Sequence, residues 1–309
     1  MFWKMHGLHL QGMANDTTVE ARWSEAFAPL AASSGSPDLT IRLDLTNHVP
    51  PAPNRKADFT QGDLLRYYLD AHRVTAHFPK YGHLIFDLEA GTTDGTIVQA
   101  ALDQYGVFED LLAISLSPHL RRRGLFLVHA FAAAYEGQGI LLVGGIGAGK
   151  TTTGMSLLNA GWQLLSNDSP ILNESGEVLQ YPGVLAGYPA TFLRFETTRG
   201  LVSPDWDRAQ KICISATDIW PGVWQESAPV KAILFPHIER RKGHALEKLT
   251  TPDALRRLLP HAVEQWDRAM IPQHLLVLRK LVERAPAYIL HLGPEVLEIP
   301  PLLEKELFS

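Results

Sequence analysis

Apolar and polar residues alternate without a break through Leu39-Thr-Ile-Arg-Leu-Asp-Leu45, the spacing of a strand with one buried and one wet face. Similar runs predict strands at 73–78, 84–88 and 96–99, with Gly91-Thr-Thr-Asp-Gly95 as the turn before the last. A segment from Thr18 to Ala32 carries Trp23 and Phe27 on one helical face, and a loop over Ser33-Ser-Gly-Ser-Pro37 follows it. Pro50-Pro-Ala-Pro53 marks a surface loop. Residues 1–105 therefore read as an antiparallel, β-rich domain without a visible catalytic constellation.

At Val107 the period changes. Phe108, Leu111, Leu112 and Leu116 fall on one helical face, with Pro118 expected to kink or break the helix before Arg121-Arg-Arg123 closes it. Strands are predicted at 125–131, 140–143 and 162–166, and a helix from Thr152 to Ala160 ends at Gly161, where a C-capping glycine belongs. Asn173-Glu-Ser-Gly-Glu177 joins two short apolar runs as a hairpin. Further strands are predicted at 192–195, 211–214, 230–235 and 287–292, helices at 252–260 and 273–284, and a basic turn at Arg240-Arg-Lys-Gly-His244. Residues 106–309 thus form a mixed α/β domain.

Chemistry enters at the break between the strand at 140–143 and the helix that follows. Gly144-Gly145-Ile146-Gly147-Ala148-Gly149-Lys150-Thr151 fits the phosphate-loop pattern G-x-x-x-x-G-K-[ST] in its strand–loop–helix setting. Glycines let backbone N–H groups turn toward phosphate oxygens, and Lys150 brings a mobile positive charge to the β and γ phosphates of a nucleotide, ATP by default. The Thr151 hydroxyl can ligate Mg²⁺, and Thr152 continues the cradle into the first helical turn. Asp168 ends the next predicted strand, at the sheet edge where ligands of α/β proteins bind, and a carboxylate there can hold Mg²⁺. Asn-Asp-Ser-Pro is also good turn chemistry, so Asp168 has a structural reading beside the metal one. His129 likewise reads either as a hydrogen-bonded core residue or as a proton acceptor, histidine being the side chain that titrates near neutral pH. Arg194 and Lys211, on the predicted strands at 192–195 and 211–214, are candidates to neutralise phosphoryl oxygens.

Bulk properties narrow the field. The 309 residues are 46% hydrophobic and 20% charged, as in ordinary globular proteins, and the formal net charge of −5 offers no electrostatic reason for a nucleic-acid or anionic-membrane partner. Cys213 is the lone cysteine, which leaves no intrachain disulfide and no thiolate metal cluster. No apolar run approaches a membrane span, and MFWKMHGLHL lacks the layout of a signal peptide, so the expected location is the cytoplasm, where ATP is available.

Phosphate loops serve many nucleotide-binding classes, and the wider run discriminates among them. His129…Gly139-Ile-Leu-Leu-Val-Gly144…Gly149-Lys-Thr151…Gly161-Trp-Gln-Leu-Leu-Ser-Asn-Asp168 resembles the HPr kinase/phosphorylase-related family, which includes kinases that phosphorylate a serine of lasso-peptide precursors. Ala285-Pro-Ala-Tyr-Ile-Leu-His-Leu-Gly293 is similar to a C-terminal element of that group, and the first hundred residues show no likeness to it. The resemblance implies a core like that shared by HPr kinase and ATP-type phosphoenolpyruvate carboxykinase, with His129 and two successive acidic positions in the active site. The second acidic position is Asp168, at the metal; the first, which would help deprotonate the acceptor hydroxyl, is Asn167 here.

The resulting expectation is an ATP- and Mg²⁺-dependent kinase acting on a hydroxyl, a serine of a peptide or protein, with a lasso-peptide precursor among the candidate acceptors. Oligomers in the resembled family extend the expectation to self-association. Asn167 motivates an alternative, a nucleotide-binding sensor or subunit without turnover; a small-molecule kinase or carboxykinase-like enzyme is a third reading.

Overall fold

The computed structural model describes every residue except Arg240 and Arg241, so the predicted basic turn lies partly outside the described residues. The chain is mixed α/β and divides into two compact units.

The first unit comprises residues 1–123 together with 264–270. Its strands are β1 (Phe2–Met5), β2 (Leu8–Ala14), β3 (Leu39–Thr46), β4 (Phe59–Gln61), β5 (Leu65–Asp70), β6 (Arg73–Phe78), β7 (Gly82–Asp87) and β8 (Thr92–Val98). They form one sheet in the order β1-β2-β3-β8-β7-β6-β5-β4. Leu39, Ile41 and Leu43 bury one face of β3 while Arg42 stays exposed, as the alternation requires. The expected antiparallel arrangement holds only from β8 to β4 and for β1–β2, because β2 and β8 both run parallel to β3. A parallel neighbour needs a crossover, and α1 (Thr17–Ala26) supplies it between β2 and β3. Asp16 caps α1 by accepting from Thr18 N and Val19 N, and Trp23 stacks on Trp3 at 5.2 Å. The sequence-predicted helix to Ala32 therefore stops early, and the predicted turn at 91–95 is mostly strand β8.

After α2 (Gln99–Asp103), α3 (Val107–Arg121) runs through Pro118 without ending there. It packs on β3, β7 and β8, which is why the first unit extends to Arg123 rather than to the expected boundary at residue 105. Residues 264–270 rejoin this unit: Trp266 stacks on Tyr67 at 4.6 Å, and the buried Asp267 accepts from Arg121 and Arg122. Sequence periodicity carries no trace of such a return.

The second unit holds residues 124–263 and 271–309. In chain order its elements are β9 (Leu125–Leu127), β10 (Ala130–Tyr135), β11 (Gln138–Val143), α4 (Lys150–Asn159), β12 (Gln163–Ser166), β13 (Ile171–Asn173) and β14 (Glu177–Leu179). There follow β15 (Leu185–Gly187), α5 (Pro189–Phe192), α6 (Glu196–Arg199), β16 (Ile212–Ile214), α7 (Ala216–Ile219) and β17 (Ser227–Ile238). The chain ends with β18 (Ala245–Lys248), α8 (Thr251–Leu258), α9 (Ile271–Arg284), β19 (Ala287–Leu292) and α10 (Ile299–Leu303).

The long strand β17 organises the sheet. Its first residues pair antiparallel with β14, and its later ones run parallel to β11 on one side and β19 on the other. β10 pairs with β11 and β12, while β15 and β16 make a separate two-stranded ribbon. Helix α4 covers β10, and Phe131, Leu142, Met155, Leu158, Trp162, Leu234 and Leu290 form the core between helix and sheet. Gly161 ends α4 as expected: at φ +89° its N–H reaches Leu158 O, and Trp162 N reaches Leu157 O, the paired bonds of a Schellman cap.

Two local expectations fail in this unit. The predicted strand at 125–131 is broken at Val128-His129, and the predicted strand at 192–195 is instead the end of α5 and a turn, started by Pro189 at the first helical position. Among the described residues, no helix is long and apolar enough to cross a membrane.

Candidate functional site

The loop Gly144–Gly149 runs from the end of β11 to the start of α4. Gly149 stands at φ +98° as the helix N-cap, a backbone conformation that favours glycine, and a Cβ there would also press on Leu292 Cδ1 at 2.9 Å. Gly147 is also left-handed, at φ +81°. Ala148 N bonds to Gly145 O at 3.3 Å, and Thr153 N to Gly149 O at 2.9 Å starts the helix. The first N–H groups of a helix lack intrahelical partners, and the helix dipole makes that end attractive to anions. Ile146 is exposed at the tip of the loop, and the Thr152 and Thr191 hydroxyls meet at 3.1 Å.

Lys150 does not point away into solvent. Its ammonium donates to the carbonyls of Gly144 and Gly145 and to His129 Nε2 at 3.1 Å. An ammonium has no lone pair, so Nε2 is the acceptor and the imidazole proton sits on Nδ1. That nitrogen stands 3.3 Å from Asp168 Oδ1. Lys150, His129 and Asp168 thus form one chain of contacts at the head of α4.

Main-chain bonds hold the chain in place. Val128 N bonds to Pro170 O and Ala130 N to Asp168 O, each at 3.0 Å, whereas His129 N turns the other way to His261 O at 2.7 Å. The break between β9 and β10 therefore seats the imidazole beside the 166–170 turn. Ser166 Oγ accepts from Ser169 N and fixes that turn. Asp168 is accordingly part of a turn, as one of its sequence readings has it, and also a neighbour of His129.

The electrostatics mark a place for negative charge. Burial pushes the Lys150 ammonium below its ordinary range; Asp168 opposes that shift and Lys211 adds to it. An anion beside Lys150 would favour its charged form. Lys211 immediately precedes β16, with its ammonium 5.5 Å from the Tyr188 ring centre. His261 is likewise held below the usual imidazole range, first by burial and then by His129 and Lys150. It lies in the short turn after α8, its ring 6.1 Å from that of His129. No local pattern singled out His261; only the return of the chain after α8 brings it here.

The remaining candidates fall elsewhere in the unit. Asn167 Nδ2 donates to Val184 O at 2.7 Å and so tethers the Tyr181–Gly187 segment, and a Cβ at Gly187 would stand 3.5 Å from Thr151 Cγ2. Arg194 donates to Pro294 O at 3.2 Å, and among the described residues no contact joins it to Lys150, His129 or Asp168.

No protein-family model matches the chain, and no curated protein does. Solved structures do match, among them the Hpr(Ser) kinase/phosphatase from Coxiella burnetii, at 12% sequence identity, covering 58% of this chain and 91% of that one, with a TM-score of 0.29. A likeness this loose assigns neither activity nor site residues.

Proposed function

We propose that the second unit is an ATP-dependent phosphotransferase that delivers the γ-phosphoryl group to a hydroxyl, a serine of a peptide or protein being the acceptor suggested by the sequence resemblance. The observation that carries this reading is the contact chain Lys150–His129–Asp168 beside the glycine loop. It joins a phosphate-binding cation to a base and to a carboxylate that orients the base.

In this reading the phosphates lie along the loop, and Lys150 and Lys211 offset the charge of the transferring group. The acceptor O–H gives its proton to His129 Nε2. The acceptor oxygen forms the new bond to phosphorus while the β–γ bridging P–O bond breaks, and ADP departs with that electron pair. Asp168 keeps His129 in the Nδ1–H tautomer and balances the imidazolium that forms.

Mg²⁺ fits the side chains on hand. Thr151 is partly exposed and the Asp168 side chain is 48% exposed, so these are the hard oxygen donors that would hold the ion. Among the described residues no three or more His, Cys, Asp or Glu side chains form a cage, and Mg²⁺ with phosphates and water needs none. Bound there, it would supply charge neutralisation across the phosphates.

Calorimetry with Mg-ATP on wild type and Lys150→Ala, followed by product analysis against a peptide library, tests the proposal. Unchanged affinity in the variant would remove the nucleotide assignment. Asn167 favours one other reading. Its amide is committed to Val184 O and cannot take a proton, so nucleotide binding without turnover would identify a sensor.

A further inference from the structure

We infer that Lys150 masks the His129 base in the nucleotide-free protein, and that incoming phosphates unmask it, so that a hydroxyl acceptor meets a free base only after nucleotide is seated. The inference rests on the nucleotide reading above and adds an order of events to it.

An ammonium has three protons, and all three of Lys150's are spent: on Gly144 O, Gly145 O and His129 Nε2. None is left for a phosphate. The imidazole is equally committed, since Nδ1 faces Asp168 and the Nε2 lone pair is occupied by the ammonium. In this arrangement His129 cannot accept a proton from any substrate. The lysine of the motif must reach the β and γ phosphates, so it must leave at least one of these partners. The exchange is favourable: a neutral carbonyl or ring acceptor is given up for an anionic phosphate oxygen, which adds attraction between two opposite full charges to the hydrogen bond.

Nothing else has to move. Val128, His129 and Ala130 are each tied through their main-chain N–H to Pro170, His261 and Asp168, and the Asp168 carboxylate stands 3.3 Å from Nδ1. Withdrawal of one flexible side chain thus leaves a positioned imidazole with a free Nε2. The order concerns the chemistry: the base becomes available only once nucleotide is seated.

The test uses the full chain labelled with ¹⁵N-histidine, its His129 signals assigned through His129→Gln. Long-range ¹H–¹⁵N spectra are taken of free wild type, of wild type with Mg²⁺ and adenylyl imidodiphosphate, and of free Lys150→Met. Loss of the ammonium's hydrogen bond should move the Nε2 resonance downfield in Lys150→Met without nucleotide, and nucleotide should move the wild-type resonance the same way. Calorimetry on the same samples separates the two claims. Calorimetric binding with an unmoved wild-type Nε2 signal overturns the unmasking and leaves the nucleotide reading intact. No binding overturns the nucleotide reading and the unmasking with it. A Lys150→Met signal coincident with that of wild type removes the masking contact itself. Should that variant not fold, the wild-type nucleotide titration alone decides the matter.

Discussion

His129 Nδ1 and Asp168 Oδ1 stand 3.3 Å apart, although a hairpin, the glycine loop, a helix and a strand separate them in the chain. The main chain enforces the meeting, since Ala130 N bonds to the carbonyl of Asp168 itself. In the proposed phosphotransfer, a carboxylate beside one imidazole nitrogen leaves the other to take the acceptor proton.

Replacement of His129 should therefore damage the chemical step rather than nucleotide binding. His129→Ala is expected to lower kcat by about 10²–10⁴-fold, the usual worth of a positioned base. Mg-ATP affinity should stay close to that of wild type. Single-turnover transfer, or background ATP hydrolysis where no acceptor is in hand, measures the first; calorimetry measures the second. A full rate in the variant would rule out His129 as the proton acceptor.

Helix α4 must lie close against β10 to bring the loop to this position, and Gly154 makes that approach. A Cβ on Gly154 would run into the ring of Phe131, which is fully buried. In an exposed helix Gly→Ala gains about 1 kcal/mol. Here overpacking, on the order of 1–3 kcal/mol, works against that gain and outweighs it. Gly154→Ala is expected to lower the urea midpoint, and a raised midpoint would mean that helix and strand can separate without cost.

His119, in the first unit, gives a pH dependence with a definite sign. Burial, with help from Arg123 and Arg122, depresses its pKa from the usual 6.5 to about 4. Thr93 Oγ1 donates to Ser115 O and so meets His119 Nε2 as an acceptor, a pairing the neutral ring satisfies. Above pH 6.5 the residue is neutral both folded and unfolded. Between 6.5 and about 4 the unfolded chain binds a proton that the folded one refuses, so stability falls as the pH falls through this window and levels off below it. The loss is on the order of 3 kcal/mol. Denaturation midpoints of wild type and His119→Gln at pH 7 and pH 4.5 should diverge in slope, the variant being the flatter.

The legible parts of this chain are those whose signal is local. The glycine loop was readable because strand, loop and helix are contiguous, and Gly161 because a left-handed cap follows the last helical residue directly. The hairpin of β1 and β2 was missed because its turn uses His6, at φ +48°, before Gly7 at +86°, where Asn or Asp is the usual signal. Arg194 is misplaced by its local sequence because Phe192-Leu-Arg-Phe195 is a short aromatic-rich apolar run of the kind found in strands, yet Pro189 opens a helical turn before it. His261 and the 264–270 return were invisible for a different reason: tertiary packing sets their positions, and no neighbour in sequence reports it.

Asn167 is where sequence and structure argue in opposite directions. By resemblance, a carboxylate belongs at this position, and Asn167→Asp would restore a base and keep or raise the rate. In the fold, Asn167 spends its amide N–H on Val184 O at 2.7 Å. An ionised aspartate has no proton to donate and would set a negative oxygen against that carbonyl. The carbonyl, left without its donor, costs about 1–3 kcal/mol, and the segment it anchors reaches Gly187, beside Thr151. The lost hydrogen bond should decide the outcome: Asn167→Asp is expected to unfold at lower urea and to turn over no faster than wild type. Asn167→Ser, which keeps a shorter donor, should lie between the two in stability. Urea titration and initial rates on the three proteins decide it. An Asn167→Asp variant that is both as stable as wild type and faster would mean that the Val184 segment has another anchor and that the base belongs at 167.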